Sequence, residues 1–246
     1  MEVKLDLHIH SEHSPDGRMA LDEIVACARA RGLQGVAVCD HDRALTETWD
    51  APDFLLIPGI ELSTDRGHLL GLFVTEQIEA RELDAAIDAV HACGGLAVMA
   101  HPFERSSDAQ RLDAYLDRLD GIEGWNGRAD RKNPQANAMA CALAQRAAKP
   151  VTAGSDAHLP EEIGNGVVTL EADALTLPAV RAALLRGATA VDGRRGKARY
   201  VAESQLTKRR RTHAGAAAYV KWALFAAKCC LQDITWKGET YHVLDR

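Results

Sequence analysis

The stretch VKLDLHIHSEHSPDG, Val3 to Gly17, sets an apolar strand against a run of histidines and acids. Read with a period of two, Val3, Leu5, Leu7 and Ile9 share one face, and Lys4, Asp6, His8 and His10 share the other. Ser11, Ser14, Pro15 and Gly17 then supply turn chemistry. His8 and His10 therefore stand side by side at the carboxyl end of a strand, with a polar loop beyond them.

Working outward, MALDEIVACARARG places Leu21, Ile24, Val25 and Ala28 at helical spacing before Gly32, and GVAVCDHD follows as a short buried strand, completing a β-α-β unit. FLLIPGIEL and HLLGLFV read as further strands. ARELDAAIDAVHACGG reads as a helix with Leu83, Ala86, Ile87 and Val90 inward and a stop at Gly94-Gly95, and LAVMAHP as the next strand. GIEGWN, PVTAGSD and GVVTL continue the strands, with helices in PQANAMACALAQRAA and PAVRAALLRG. Such alternation implies a mainly parallel sheet, and about seven or eight strands favour a closed or nearly closed barrel. No glycine-rich dinucleotide fingerprint follows the first strand, which weakens an open doubly wound sheet.

The tail differs. Gly193 to Arg211 reads as a basic, turn-rich linker, AGAAAYVKWALFAAKCCLQDI as an apolar helix, and TWKGETYHVLD as a small hairpin around Lys237-Gly238. The helix either packs against the barrel or serves as a basic amphipathic surface for a membrane or partner. The division expected is residues 1–192 as the barrel and 193–246 as linker, helix and hairpin-like end.

A net charge of -6 argues against gripping duplex nucleic acid by bulk electrostatics. The six cysteines show no CxxC spacing and lie mostly in apolar runs, reading as reduced core residues. With no signal peptide visible and no long apolar span, a soluble cytoplasmic protein is expected.

Chemistry concentrates at strand ends: His8 and His10, then Asp40-His41-Asp42, Glu61, His101, and Asp156 with His158. His68 opens its strand, so it reaches the same end only if that strand runs the opposite way or enters bent. So many imidazoles and carboxylates pack together only if a cation neutralises them. His8 with His10, and Asp156 with His158, have the two-residue spacing that points a pair to one ion. Asp6, one step deeper, either orients a ligand imidazole or bonds to backbone. Imidazole mixed with carboxylate suits zinc, manganese or iron, and the groups are too many for one ion.

DLHIHSEHSPDG, CDHD, PGIEL, GHLLGL, AHPF and GSDAH, in this order, resemble the polymerase and histidinol phosphatase (PHP) family of metal-dependent phosphoesterases, over roughly Met1 to Val191. The resemblance implies an α/β fold, a distorted (β/α)7 TIM-like barrel. It implies two or three divalent ions, manganese, zinc or iron, held by His8, His10, Asp16, His41, Glu61, His68, His101, Asp156 and His158, with Glu61 as a bridge. Asp16 matches the loop position better than His13, which reads as a solvated or substrate-facing residue. Asn126 and Arg128 in GWNGR are candidates for holding a phosphate or ribose, or else form a turn with a surface arginine. The implied activity is hydrolysis of phosphate mono- or diesters on a small phosphorylated substrate, nucleotides or short oligonucleotides included. Amidohydrolase-type cleavage of a C–N bond and a regulatory module with a vestigial site are the alternatives. Asp16, His41 and Glu61 acting together favour the phosphoesterase.

Overall fold

The computed structural model describes residues 1–47, 49, 51–235 and, for the backbone, 240–245. The opening stretch forms β1 (Glu2–Ile9), followed by α1 (Leu21–Ala30) and β2 (Gly35–Val38), which pairs parallel to β1. Ile24, Val25 and Ala28 bury the face of α1 that the spacing predicts. Burial on β1 alternates only as far as Leu5, after which both faces are covered. Its polar half therefore lies inside the molecule.

β3 (Leu55–Thr64) pairs parallel to β2, but β4 (Gly67–Leu72) turns back antiparallel to β3 and to β5 (Leu96–Ala100). This hairpin distorts the barrel, and it is also why His68, the second residue of β4, sits at the same end as the carboxyl termini of its neighbours. Between β4 and β5 runs α2 (Leu83–Ala92), which buries Leu83, Ala86, Ile87 and Val90 and is stopped by Gly94 at φ +73°. β6 (Gly121–Asn126), α3 (Ala136–Arg146) and β7 (Val151–Gly154) complete the parallel side.

β7 then closes on β1. Asp156 N–H donates to His8 O and His10 N–H to Ala157 O, both at 2.8 Å. The approach is so close that a Cβ on Gly154 would lie 2.2 Å from His8 Cβ. A barrel-like sheet results, with β8 (Gly166–Glu171) added antiparallel to β1 and β9 (Ala190–Arg194) antiparallel to β8; α4 (Leu177–Arg186) joins them. The apolar interior divides into a large cluster reaching from Leu5 through Leu69 to Ile122 and a smaller one under α1.

The tail departs from its sequence reading. Residues 193–211 are not a turn-rich linker but the end of β9 and a helix, α5 (Ala198–Arg211). Its buried face is made of small side chains, Ala198, Val201, Ala202, Ser204 and Thr207, which give a weak apolar signal. α6 (Ala216–Thr235) packs on α5, with Trp222 Nε1–H donating to Ala202 O at 2.7 Å and the Asp233 carboxylate accepting the first N–H groups of α5 from Ala198 and Arg199. Val220, Leu224, Leu231 and Ile234 are exposed along its other face. β10 (Thr240–Asp245) pairs antiparallel to β9; the hairpin turn at Lys237-Gly238 lies outside the described residues. Cys39 and Cys229 are buried and the other four cysteines are not, so the all-core reading of cysteine was too broad. Among the described residues no helix is long and apolar enough to cross a membrane.

Candidate metal centre

Barrel closure brings all nine sequence-predicted groups to one end, around Glu61. This carboxylate is 1% exposed, and its oxygens lie 3.6 Å from His8 Nε2, 3.4 Å from His10 Nε2, 2.7 Å from His41 Nδ1, 2.7 Å from His68 Nδ1 and 3.1 Å from His101 Nε2. Asp156 adds a carboxylate 3.3 Å from His10 Nε2, and Asp16 stands 3.4 Å from His158 Nε2 and 3.7 Å from His41 Nε2.

Other side chains fix the ring orientations. His8 Nδ1 is held by Glu123 at 2.9 Å, His10 Nδ1 by the Ser14 hydroxyl at 2.9 Å and His158 Nδ1 by Asp156 O at 2.9 Å. In each case Nε2 is left facing the cluster. Glu123 is a residue the sequence reading missed: it also accepts the His101 N–H at 2.8 Å and the Asn126 side-chain amide at 3.1 Å. Its only signal was a carboxylate inside the buried strand GIEGWN. Asp40 organises the loop that carries Asp16, accepting N–H and O–H from both Ser11 and Ser14. Asp6 accepts backbone N–H groups from Ser155 at 2.9 Å and Gly164 at 2.8 Å. Of its two sequence readings, the backbone one holds; the imidazole is oriented by Glu123 instead.

Asn126 and Arg128, the phosphate-holding candidates, both make hydrogen bonds within the protein. The Asn126 side-chain oxygen Oδ1 accepts the N–H groups of Arg128 and Ala129, and its side-chain amide N–H donates toward Glu123 and Asp156. Arg128 is buried and bidentate on Glu162, with a further bond to Ser204. Glu162 in turn accepts the His158 N–H at 3.1 Å. Both residues bond within the protein around the cluster, while Arg128 also lines the cavity and is no surface arginine. His13 bonds Glu47 at 3.0 Å and His91 bonds Asp120 at 2.8 Å, both outside the Glu61 cluster.

Two cluster residues occupy strained backbone, His101 at φ 24° and Asp156 at φ 55°. Their N–H bonds to Glu123 and His8 O hold them there, as expected where geometry is dictated by a site.

Burial disfavours the charged forms of His8, Asp16, His41, Glu61, His101 and Asp156, and the close contacts override it. The carboxylates of Glu123, Glu61 and Asp156 raise His8 well above its ordinary pKa, and contacts with Glu61 help raise His41 and His101 to about 9. Burial, with the neighbouring His158 and His41, lowers His10. Despite burial, Glu61 is held well below the carboxylate range by His68, His41 and His8, and Asp16 is lowered by His158 and His41. Asp6, with no cation beside it, is pushed by burial to about 6.

This donor set fits divalent ions. Glu61 Oε2 and Asp16 Oδ1 are buried and, among the described residues, accept no well-aligned hydrogen bond, although imidazole nitrogens of His41 and His158 stand 2.7 Å and 3.4 Å from them. Buried acceptors in that state are costly unless a cation meets them. Ligand atoms about 2.0–2.2 Å from one shared ion stand about 3.0–3.6 Å from each other. Many of the separations given above fall in that range. Four triads have ligand atoms within 4.8 Å of one another: His8–His10–Asp156, His8–Glu61–His101, His41–Glu61–His68 and His10–His41–His158. The cluster opens into a cavity of about 340 Å³ whose walls include Arg128, Arg131, Gln205, Arg209 and Phe225.

The sequence matches the family pattern described as the PHP domain over residues 6–104 and that described as PHP-associated over 134–189. An uncharacterized protein of Methanocaldococcus jannaschii is 31% identical over 177 residues, covering 68% of this chain and 70% of that protein. Among solved structures, a Bifidobacterium adolescentis protein assigned as a metal-dependent phosphoesterase superposes with a TM-score of 0.54 at 22% identity, covering 74% of this chain and 96% of the other. An amidohydrolase from Chromobacterium violaceum gives 0.52 at 19% identity, with 74% and 95% covered. A lesion-specific endonuclease from Pyrococcus furiosus gives 0.54 at 18%, with 78% and 58% covered. These likenesses establish the fold, and since they span different chemistries, the fold does not choose among them.

Proposed function

The chain belongs to the PHP family, and on that premise we propose that it is a metal-dependent phosphoesterase hydrolysing phosphate mono- or diesters. The observation that carries the reading is the buried Glu61 carboxylate with nitrogens of five imidazoles, His8, His10, His41, His68 and His101, within 3.6 Å of its oxygens. The triads His8–His10–Asp156, His8–Glu61–His101, His41–Glu61–His68 and His10–His41–His158, which overlap at His8, His10, His41 and Glu61, would hold two or three ions between them, with Asp16 beside His41 and His158. Manganese, zinc and iron suit these donors. Divalent ions bound there would acidify a water and offset charge on the phosphoryl oxygens.

The chain's own residues prepare for this. Glu123, Ser14 and the Asp156 carbonyl direct three imidazole Nε2 atoms into the cluster, and the Arg128–Glu162 pair fixes the His158 backbone. Asp16, His41 and Glu61 lying together favour a phosphoryl substrate over an amide, because charge accumulating across several phosphoryl oxygens calls for more than one cation. The cavity suits a small phosphorylated molecule, a nucleotide or the end of a short oligonucleotide.

Elemental analysis of protein produced with added manganese, iron or zinc tests this directly. Two or three equivalents per chain are expected, together with metal-dependent phosphate release that His8→Ala and Asp156→Ala abolish. Full activity in either variant, or no bound metal under any condition, would overturn the reading.

A further inference from the structure

One wall of the cavity comes from outside the regions that match the family patterns. Arg131 follows β6, Gln205 and Arg209 lie on α5, and Phe225 lies on α6. None of them falls within residues 6–104 or 134–189. Although the chain carries a net -6, residues 194–235 hold ten Lys and Arg against two acidic residues. The α5–α6 wall is therefore cationic, facing a cluster rich in carboxylates.

The cavity's cations differ in how they are paired. Arg128 is bound to Glu162, while Lys132 and Arg105 are bound to Glu104. Among the described residues Arg209 touches only neutral oxygens, those of Gln205 and Ala218. Arg131 Nε is buried with no acceptor, and its guanidinium lies 5.4 Å from the Phe225 ring centroid, which fixes its plane. Among the described residues neither Arg131 nor Arg209 has a carboxylate partner. Burial lowers the Arg131 pKa, Arg128 and Arg195 adding to it and Cys229 and the more distant Glu104 offsetting it only in part. Gln205 marks where this wall meets the metal centre, its amide 3.5 Å from Asp16 Oδ2. Arg209 stands one turn further along α5, about 6 Å away along the axis.

We infer that Arg131 and Arg209, with Phe225 behind them, form a subsite for a second anionic group, so that the preferred substrates are phosphate esters whose alcohol part carries its own phosphate or carboxylate. The inference rests on the phosphoesterase reading for the scissile group. The ions would meet the scissile phosphate, and the planar guanidinium forks would meet the distal anion. The substrate's length between the two anions is then selected by the α5–α6 wall.

Two measurements on the full chain test it. Inorganic phosphate is titrated calorimetrically into protein stripped of metal. Binding is expected, weakened about tenfold or more by Arg131→Gln or Arg209→Gln, partly restored in Arg209→Lys, and unchanged in the exposed Lys221→Gln. In the metal-loaded enzyme, kcat/KM for 3-phosphoglycerate should exceed that for glycerol 3-phosphate, and both Gln variants should collapse the ratio. No phosphate binding without metal, binding indifferent to the two arginines, or equal loss on both substrates would each overturn the subsite. Phosphate binding that follows the arginines, in a chain with no metal-dependent phosphate release, would instead overturn the phosphoesterase reading and leave the anion site standing. Thermal melts of each variant identify any that fail to fold.

Discussion

At the scale of single residues, the centre depends on groups that never touch its cavity. Glu123 orients His8 with one oxygen and holds the strained His101 backbone with the other. Carboxylates in this position typically govern metal affinity by about 10–100-fold. Glu123→Gln preserves volume but removes the charge, and a competition titration with a chelating dye should show a loss of that size with secondary structure intact. Unchanged affinity would reduce Glu123 to a packing residue. Asp6 works differently, since its acceptors tie the Ser155 and Gly164 N–H groups to β1 at the barrel seam. In Asp6→Asn an amide donor faces one of those N–H groups, and a buried donor without an acceptor costs about 1–3 kcal/mol. Urea unfolding should show a decrease in that range, with the midpoint moving and the slope constant.

At the scale of elements, α5 links the tail to the site. Arg211 donates to Glu12 O and Ser14 O, both at 2.7 Å, clamping the loop that carries Asp16. α6 secures α5 from its other end through Asp233. Asp233→Ala leaves two N–H donors at the start of α5 without acceptors and should cost about 0.5–2 kcal/mol. Hydrogen exchange should rise over residues 198–202 and leave β1 unaffected. The strands bearing His8, Glu61 and His101 were legible because apolar periodicity ends abruptly in polar residues, and His68 was placed correctly once its strand was allowed to run backward. The helix in α5 was illegible because its inward face is small and its outward face is arginine and lysine, a composition shared with linkers. Glu123, and the partners of Asp40, escaped for another reason: a carboxylate inside an apolar strand or loop declares its partners only when distant strands are brought together. Sequence spacing identifies pairs on one strand, whereas orientation across strands depends on register.

At the scale of the whole molecule, the centre lies where the barrel closes. β1 and β7 meet through His8, His10, Asp156 and Ala157, and β3, β4 and β5 contribute Glu61, His68 and His101 to the same end. Without cations this end concentrates buried carboxylates, two of whose oxygens accept no well-aligned hydrogen bond among the described residues. Ions that bind the folded chain and not the unfolded one must therefore stabilise the barrel as a unit. For one site, free metal at 100 times its dissociation constant adds about 2.7 kcal/mol, which for a chain of this size corresponds to about 5–10 °C in Tm. Calorimetric melts after chelation and after stepwise addition of manganese or zinc should show a rise of this order for each site filled. His8→Ala should lose the response, while Lys221→Gln should keep it. A Tm independent of metal in the unaltered chain would mean that the nine residues are brought together without binding ions tightly, and the cluster's buried charges would then have to be met by protons alone.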